Sequence, residues 1–429
     1  MKLKIQNNYC DRHIHLDYQT NDISLNGLRD SHCHLVWLGM QELGLNLDNT
    51  KSFQELIDLS YIYSKNNTNN WIVGRGWNDE NWIKPLKNTS FLEELDKVFP
   101  DTPVYLKRID GHAAIVNSKA LKIANINSNT KDPSGGKIVR DINNNPNGLL
   151  IDNAMELINN VLPKISDDEL INFILEAQNK CLDFGLIEVH DMDVYLEWLP
   201  IFEYLAKESK LTLKIKSYIR AFDGEFLIKV PKPYIINNLS VTGLKFYADG
   251  ALGSRGAALI EDYEDDKGNK GIFLIEENDF YDLALKGANL GFDIGTHAIG
   301  DNANRFTLDV YGKLRQVGVK NKLRIEHCQM VHPADLIKFK DYKIDAAIQP
   351  IHCISDDKMA LERIGQRVKY AYPWKNLIDL GIDVSGGSDF PIESLDPLLG
   401  IKALVEPNIN WQENQKINLE TAIKIYSSI

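Results

Sequence analysis

The sequence predicts an α/β fold, a (β/α)8 TIM-like barrel, on three observations. Strand and helix signals alternate from about residue 165 to the end of the 429-residue chain. The composition, 44% hydrophobic and 25% charged, supports a large core, and such a barrel takes roughly 250 residues as one unit. Residues able to bind a metal follow successive apolar runs: His32 and His34, then Lys245, His297, His327 and Asp389. In a closed parallel sheet, residues so placed gather at the carboxyl-terminal rim, where barrels build their sites.

Each element has its own signal. Ser166 and Glu169 form a capping-box pattern. Leu170, Phe173, Ile174, Ala177 and Cys181 follow at helical spacing, and Gly185 closes the helix. Strand 186–190 ends at His190-Asp191. A helix over 195–206 and an apolar stretch over 211–219 come next. Strand 241–248 carries Lys245 and breaks at Asp249-Gly250. Helix 280–290 leads to strand 292–297, helix 303–317 to strand 323–327, and a helix starting at 333–339 to strand 344–349. Strand 382–386 comes last, before Ser388-Asp389. This many βα units imply a parallel sheet closed on itself.

Residues 40–165 leave that rhythm. They hold strand-like runs at 71–77, 103–108 and 137–139, separated by Asn-rich breaks, and read as an insertion near the barrel mouth. The organisation expected is therefore a vestigial β segment at 1–26 and a barrel over 27–429 that contains the insertion.

A formal charge of −12 argues against nucleic acid and anionic membrane surfaces as partners. No run approaches the roughly 20 apolar residues of a membrane span, and the first residues lack the apolar region of a secretory signal. Five cysteines without a CxxC pattern read as reduced thiols, which places the protein in the cytoplasm.

His32 and His34 face one side of a strand, with Cys33 on the other. The same spacing recurs at His13 and His15, where a half-exposed strand explains it. His297 or His327 alone reads as a hydrogen-bonded core residue; with His32 and His34 they read as convergent ligands for a divalent metal, zinc above others, as one or two ions. Lys245 lies in an apolar strand, so its amine needs a partner or neutralisation. A salt bridge to Asp249 is one solution. Carboxylation of Lys245 by carbon dioxide, giving an anion that bridges two metals, is the other. Asp389 reads either as a helix N-cap before 395–404 or as a carboxylate that touches the metal and moves the proton of its water. Trp37, Trp77 and Trp82 hint at an apolar substrate group. Arg255 is a substrate-anion candidate, although a surface role is the commoner one.

These residues resemble the amidohydrolase superfamily, in particular its YtcJ-like branch with the N-substituted formamide deformylases. The resemblance rests on Asp30-Ser31-His32-Cys33-His34, Trp71 to Trp77, Asp110-Gly111-His112, Lys245 with Asp249-Gly250, His297 to Asp301, Glu326-His327, Gln349-Pro350 and Gly387 to Pro391. It implies that His32, His34, His297 and His327 are ligands, that Lys245 is the lysine that can be carboxylated, and that Asp389 is the acid/base. It also implies that Trp77, Asp110 and His112 line the substrate pocket. Members flank the barrel with a β-sandwich, which here looks missing or vestigial, and apolar surface left uncovered points to a homo-oligomer.

The implied activity is hydrolysis of a non-peptide carbon–nitrogen bond in a linear amide or N-acyl small molecule by metal-activated hydroxide. The alternatives are an inactive or truncated barrel serving as a binding or structural protein, and a metal-dependent ester, lactone or phosphoester hydrolase.

Overall fold

A computed structural model describes residues 5–7, 14–18, 21–25, 27–66, 70–79, 82, 91–109, 111, 113–133, 136–221, 224–407 and 409–427. The chain divides into two compact units, one of Met1–Leu38 with Leu170–Ile429 and one of Gly39–Glu169.

The first unit contains eight parallel strands: β1 (Leu28–Cys33), β2 (Leu186–Val194), β3 (Lys214–Arg220), β4 (Leu239–Tyr247), β5 (Asp293–Ala298), β6 (Leu323–His327), β7 (Asp345–Ile348) and β8 (Val384–Gly386). Each pairs with the next in order. Helices return the chain between strands, among them Asp167–Asp183, Leu199–Lys207, Glu277–Asn289 and Asp301–Gln316. Helix residues such as Leu170, Ile174, Phe280 and Ala284 are buried, and in β6 all five residues are buried. Burial on both faces is why these strands read as apolar runs rather than as an alternation.

Past β8 the chain closes the barrel. Asp389 N donates to His32 O (2.7 Å), and His34 N donates to Phe390 O (2.9 Å). Asp30, buried in β1, reinforces the seam by accepting from the amides of His32 (3.0 Å) and Ser388 (3.1 Å) and from the Ser388 hydroxyl. Gly387 is required here, since a Cβ would lie 2.5 Å from His32 N. An Asp30→Ala variant leaves these donors buried and unsatisfied. At about 1–3 kcal/mol for each such group, it is expected to lose several kcal/mol, read as a lower urea midpoint. An unchanged midpoint would show that Asp30 does not carry the seam.

The helix starts follow their signals. Ser166 and Glu169 form the reciprocal box, with Ser166 N donating to Glu169 Oε2 (2.9 Å) and Glu169 N to Ser166 Oγ (3.3 Å). The helix expected over 395–404 spans Pro397–Val405, and its N-cap is Asp396, which accepts from Leu398 N (2.9 Å). Asp389 therefore does not cap it.

Residues Ile5–Asn7, Ile14–Tyr18 and Asn21–Leu25 form a three-stranded antiparallel sheet. Among the described residues, no helix is long and apolar enough to cross a membrane.

The second unit has its own six-stranded mixed sheet: Leu45–Asn46, Ile72–Trp77, Val104–Arg108, Ala113–Val116, Pro146–Asp152 and Gly136–Arg140, in that spatial order. One cluster packs Leu56, Trp77, Phe91 and Leu106, and another packs Tyr105, Leu121, Leu150 and Ile158. This is a folded α+β unit with two cores, more than strands joined by surface loops.

Candidate metal centre

The carboxyl ends of β1, β4, β5 and β6 and the turn after β8 deliver the six candidate ligands to the barrel unit. His32 and Lys245 are each 1% exposed, and His327 and Asp389 are also buried. The His327 ring lies 4.7 Å from that of His32 and 4.5 Å from that of His297. Asp389 Oδ1 is 2.9 Å from His34 Nε2 and 3.5 Å from His32 Nε2. His327 and Asp389 both have left-handed backbones, with φ of 72° and 62°, a strained conformation for non-glycine residues that concentrates at functional sites.

Hydrogen-bond logic fixes the tautomers of the two imidazoles. His32 Nδ1 lies 2.7 Å from Glu326 Oε2, and His34 Nδ1 lies 3.0 Å from Met192 O. Met192 O accepts, and so does Glu326, whose other oxygen takes a hydrogen bond from Arg324 Nε, so both Nδ1 atoms carry hydrogen. The neutral rings then aim Nε2 lone pairs at one carboxylate oxygen. Acceptors facing each other at 2.9 Å need a positive centre between them, either a proton or a cation. His327 Nδ1 and His352 Nε2 are also buried without hydrogen-bond partners. Two overlapping donor groups result, His32–His34–Asp389 and His327–His352–Asp389, each with ligand atoms within 4.8 Å of one another. Imidazole nitrogen with carboxylate oxygen suits a zinc-like divalent ion.

The electrostatics agree. Burial and then Lys245 hold His32 neutral, well below the usual histidine range. Burial and the neighbouring imidazoles do the same for His327. His297 is pushed down to about 3, by burial first and then Lys245. Burial raises the Asp389 carboxyl, but His32 and His34 outweigh it and keep it ionised. For His34, burial lowers the pKa, but the hydrogen bond it gives to Asp389 and the charge of that carboxylate together raise it. Neutral imidazoles and an ionised carboxylate are the metal-binding forms. Burial also lowers the Lys245 amine, the condition that favours carboxylation.

The Lys245–Asp249 pairing considered from sequence is not formed. Asp249 instead accepts from the backbone amides of Ala258 (2.8 Å), Ile299 (3.0 Å) and Gly300 (2.8 Å), which ties the loop after β4 to the end of β5. His297 Nε2 leans towards this loop, 3.5 Å from Gly250 O. Arg255 forms a partly exposed ion pair with Asp265 (2.8 Å). Trp77 is 1% exposed within the second unit's core, and its Nε1 donates to Leu106 O (2.8 Å). Asp110 and His112 lie outside the described residues. Cys33, Cys181, Cys328 and Cys353 are free thiols.

Sequence reasoning missed three contributors. Glu326 bridges His32 to Arg324 Nε (2.6 Å), and Arg324 continues to His190 Nδ1 (2.9 Å) and Ser31 O (3.1 Å). A buried acid in an apolar strand, next to a ligand histidine, is the same signal that singled out Lys245. His352 lies in the helix Pro350–Ser355, directly after β7, where a barrel rim expects functional groups.

The sequence profile described as the amidohydrolase family matches residues 25–429. The chain belongs to the amidohydrolase family. It is 34% identical over 432 residues to a Bacillus subtilis (strain 168) protein that carries the name amidohydrolase YtcJ, covering 95% of this chain and 80% of that one. It is 24% identical over 322 residues to the N-substituted formamide deformylase of Arthrobacter pascens, covering 71% and 58%. The crystal structure of an uncharacterized metal-dependent hydrolase from Pyrococcus horikoshii OT3 superposes with a TM-score of 0.79 at 29% identity, covering 93% of this amidohydrolase and 79% of that chain. The (β/α)8 barrel and the metal-dependent hydrolase class follow.

Proposed function

We propose that this amidohydrolase cleaves a non-peptide carbon–nitrogen bond in a linear amide or N-acyl small molecule, with zinc as the resident ion. The observation that carries the reading is the convergence of two imidazole lone pairs on the Asp389 carboxylate. A bound divalent cation supplies an acidified water and a polarised carbonyl. The chain's residues do the rest. His32, oriented by Glu326, and His34, oriented by Met192 O, would hold the ion. Asp389 accepts the proton released as water oxygen bonds to the carbonyl carbon, then gives it to the nitrogen as the C–N bond breaks. The products are a carboxylic acid and an amine. The formamide deformylase relative supports an N-acyl substrate.

The test pairs elemental analysis with a hydrolase panel of N-formyl and N-acyl amines, lactones, esters and phosphoesters. The expected result is about one or two equivalents of divalent metal per chain and amide turnover that is lost on chelation and restored by zinc. Turnover confined to lactones or phosphoesters would reassign the bond. Full activity in metal-free protein would end the metal reading.

A further inference from the structure

We propose that Arg220 receives an anionic group of the substrate, so that the amides this amidohydrolase prefers also carry a carboxylate. The inference rests on the amide reading above and deepens it by naming a substrate class.

Strand register places the residue. Tyr218 and Arg220 are two apart on β3, so their side chains share a face. That face is the barrel interior: the Arg324 guanidinium lies 4.9 Å from the Tyr218 ring centre, and the His190 ring lies 6.2 Å from it. Arg220 therefore points inward, one step nearer the rim. It pairs in register with Lys245 on β4. Tyr247, two residues further on that strand, has its ring 5.3 Å from that of His297. Arg220 thus stands one strand away from the candidate ligands. It differs from Lys245 in exposure, since its side chain is 37% exposed whereas Lys245 is buried. A guanidinium open to solvent beside a closed centre is placed to meet the far end of a bound amide.

Its neighbours hold it in one position. Nη1 donates to Asp193 Oδ2 (3.2 Å) and to Tyr195 Oη (2.6 Å). The guanidinium lies 5.0 Å from the Tyr195 ring centre, and Trp198 backs that ring at 4.5 Å. Asp193 reaches Arg220 through a register shift in β2 between Asp191 and Val194 and a left-handed backbone with φ of 62°. Such devices re-aim side chains beside active sites. Asp193 is 7% exposed, and its Oδ1 is buried without a hydrogen-bond partner. An orphaned carboxylate oxygen is costly unless a group from outside the chain supplies a donor. An amide N–H beside the substrate's anion would supply it. Of the ion pair, Arg220 is the member that a ligand meets first, because Asp193 lies beneath it. A guanidinium positioned in advance suits the planar oxygen pair of a carboxylate.

The test measures binding and needs no turnover. Full-length protein is titrated calorimetrically with N-benzenesulfonylglycine and N-benzenesulfonyl-β-alanine, which have no acyl carbon for hydroxide to attack, and with their primary carboxamide twins. Wild type is expected to bind at least one acid roughly 10–100-fold more tightly than its twin, the range for a hydrogen bond to a charged group. Arg220→Met is expected to bind acid and twin equally, and Arg220→Lys to recover part of the preference. Arg220→Met/Asp193→Asn removes the carboxylate that the single exchange strands, and it decides the matter if Arg220→Met does not fold. Equal affinity of acids and twins in wild type, or an acid preference that survives in the folded methionine variants, would overturn the inference. Tighter binding of the matching N-benzenesulfonyl diamines would also overturn it and give the recognition to Asp193. Failure of the amide reading itself shows separately, as no amide turnover in the hydrolase panel.

Discussion

Exchanging Asp389 for asparagine is expected to lower kcat/KM by about 10²–10⁴-fold on the amide substrates proposed above, the range for removing a positioned acid/base group. The exchange keeps side-chain size and the backbone bond from Asp389 N to His32 O, so barrel closure survives. It removes the negative charge that two imidazole lone pairs face at 2.9 and 3.5 Å. Metal affinity should fall with activity, since an amide oxygen is the poorer ligand for a divalent ion. Asp396→Ala is the control. It deletes the true N-cap of Pro397–Val405, which costs about 1 kcal/mol of stability and leaves turnover per folded molecule unchanged. Activity of Asp389→Asn within tenfold of wild type would remove it from the chemistry.

The second large effect is at Glu326. This fully buried carboxylate binds Arg324 Nε at 2.6 Å with one oxygen and His32 Nδ1 at 2.7 Å with the other. Glu326→Leu leaves the Arg324 guanidinium buried and unpaired, and breaking a buried pair from one side costs about 3–5 kcal/mol. It also frees the His32 ring to rotate or change tautomer. Loss of such an outer partner lowers metal affinity by about 10–100-fold. The double variant Arg324→Met/Glu326→Leu separates the two roles, because it removes the stranded charge and leaves His32 unsupported. It is expected to regain most of the melting temperature while keeping the weakened metal affinity. If affinity returned together with stability, Glu326 would matter to the fold and not to the ion.

The barrel was legible because its strands are buried on both faces and its helices carry explicit stops and starts, such as Ser166 with Glu169. The mid-chain region was read less well. Its sheet mixes parallel and antiparallel pairs, and its shortest strand, Leu45–Asn46, spans two residues. Periodicity has nothing to register over two residues. The ligand candidates were visible because a lone polar group ending an apolar strand needs an explanation. Arg255 was not resolvable, because its partner Asp265 lies ten positions away in a loop and no periodicity links the two. Asp249 was one of two open solutions for Lys245 because carboxylates and amines pair readily. Sequence proximity could not show that three backbone amides from two other segments would claim it first. Glu326 and His352 were overlooked for one reason: each takes its meaning from a residue far along the chain.

The seam between Asp30 and Ser388 sets an order of events during synthesis. The chain emerges from its amino end, so β1 and the His34 that follows it leave the ribosome before the other barrel strands. Asp389 follows more than three hundred residues later. Until it does, β1 has no partner across the closing edge and the first donor group lacks its carboxylate. Contacts this distant in sequence form slowly, because the loop entropy must be met before they reward it. Nascent protein should therefore acquire its ion as a late, all-or-none step, and ribosome-bound intermediates stalled before β8 should remain metal-free.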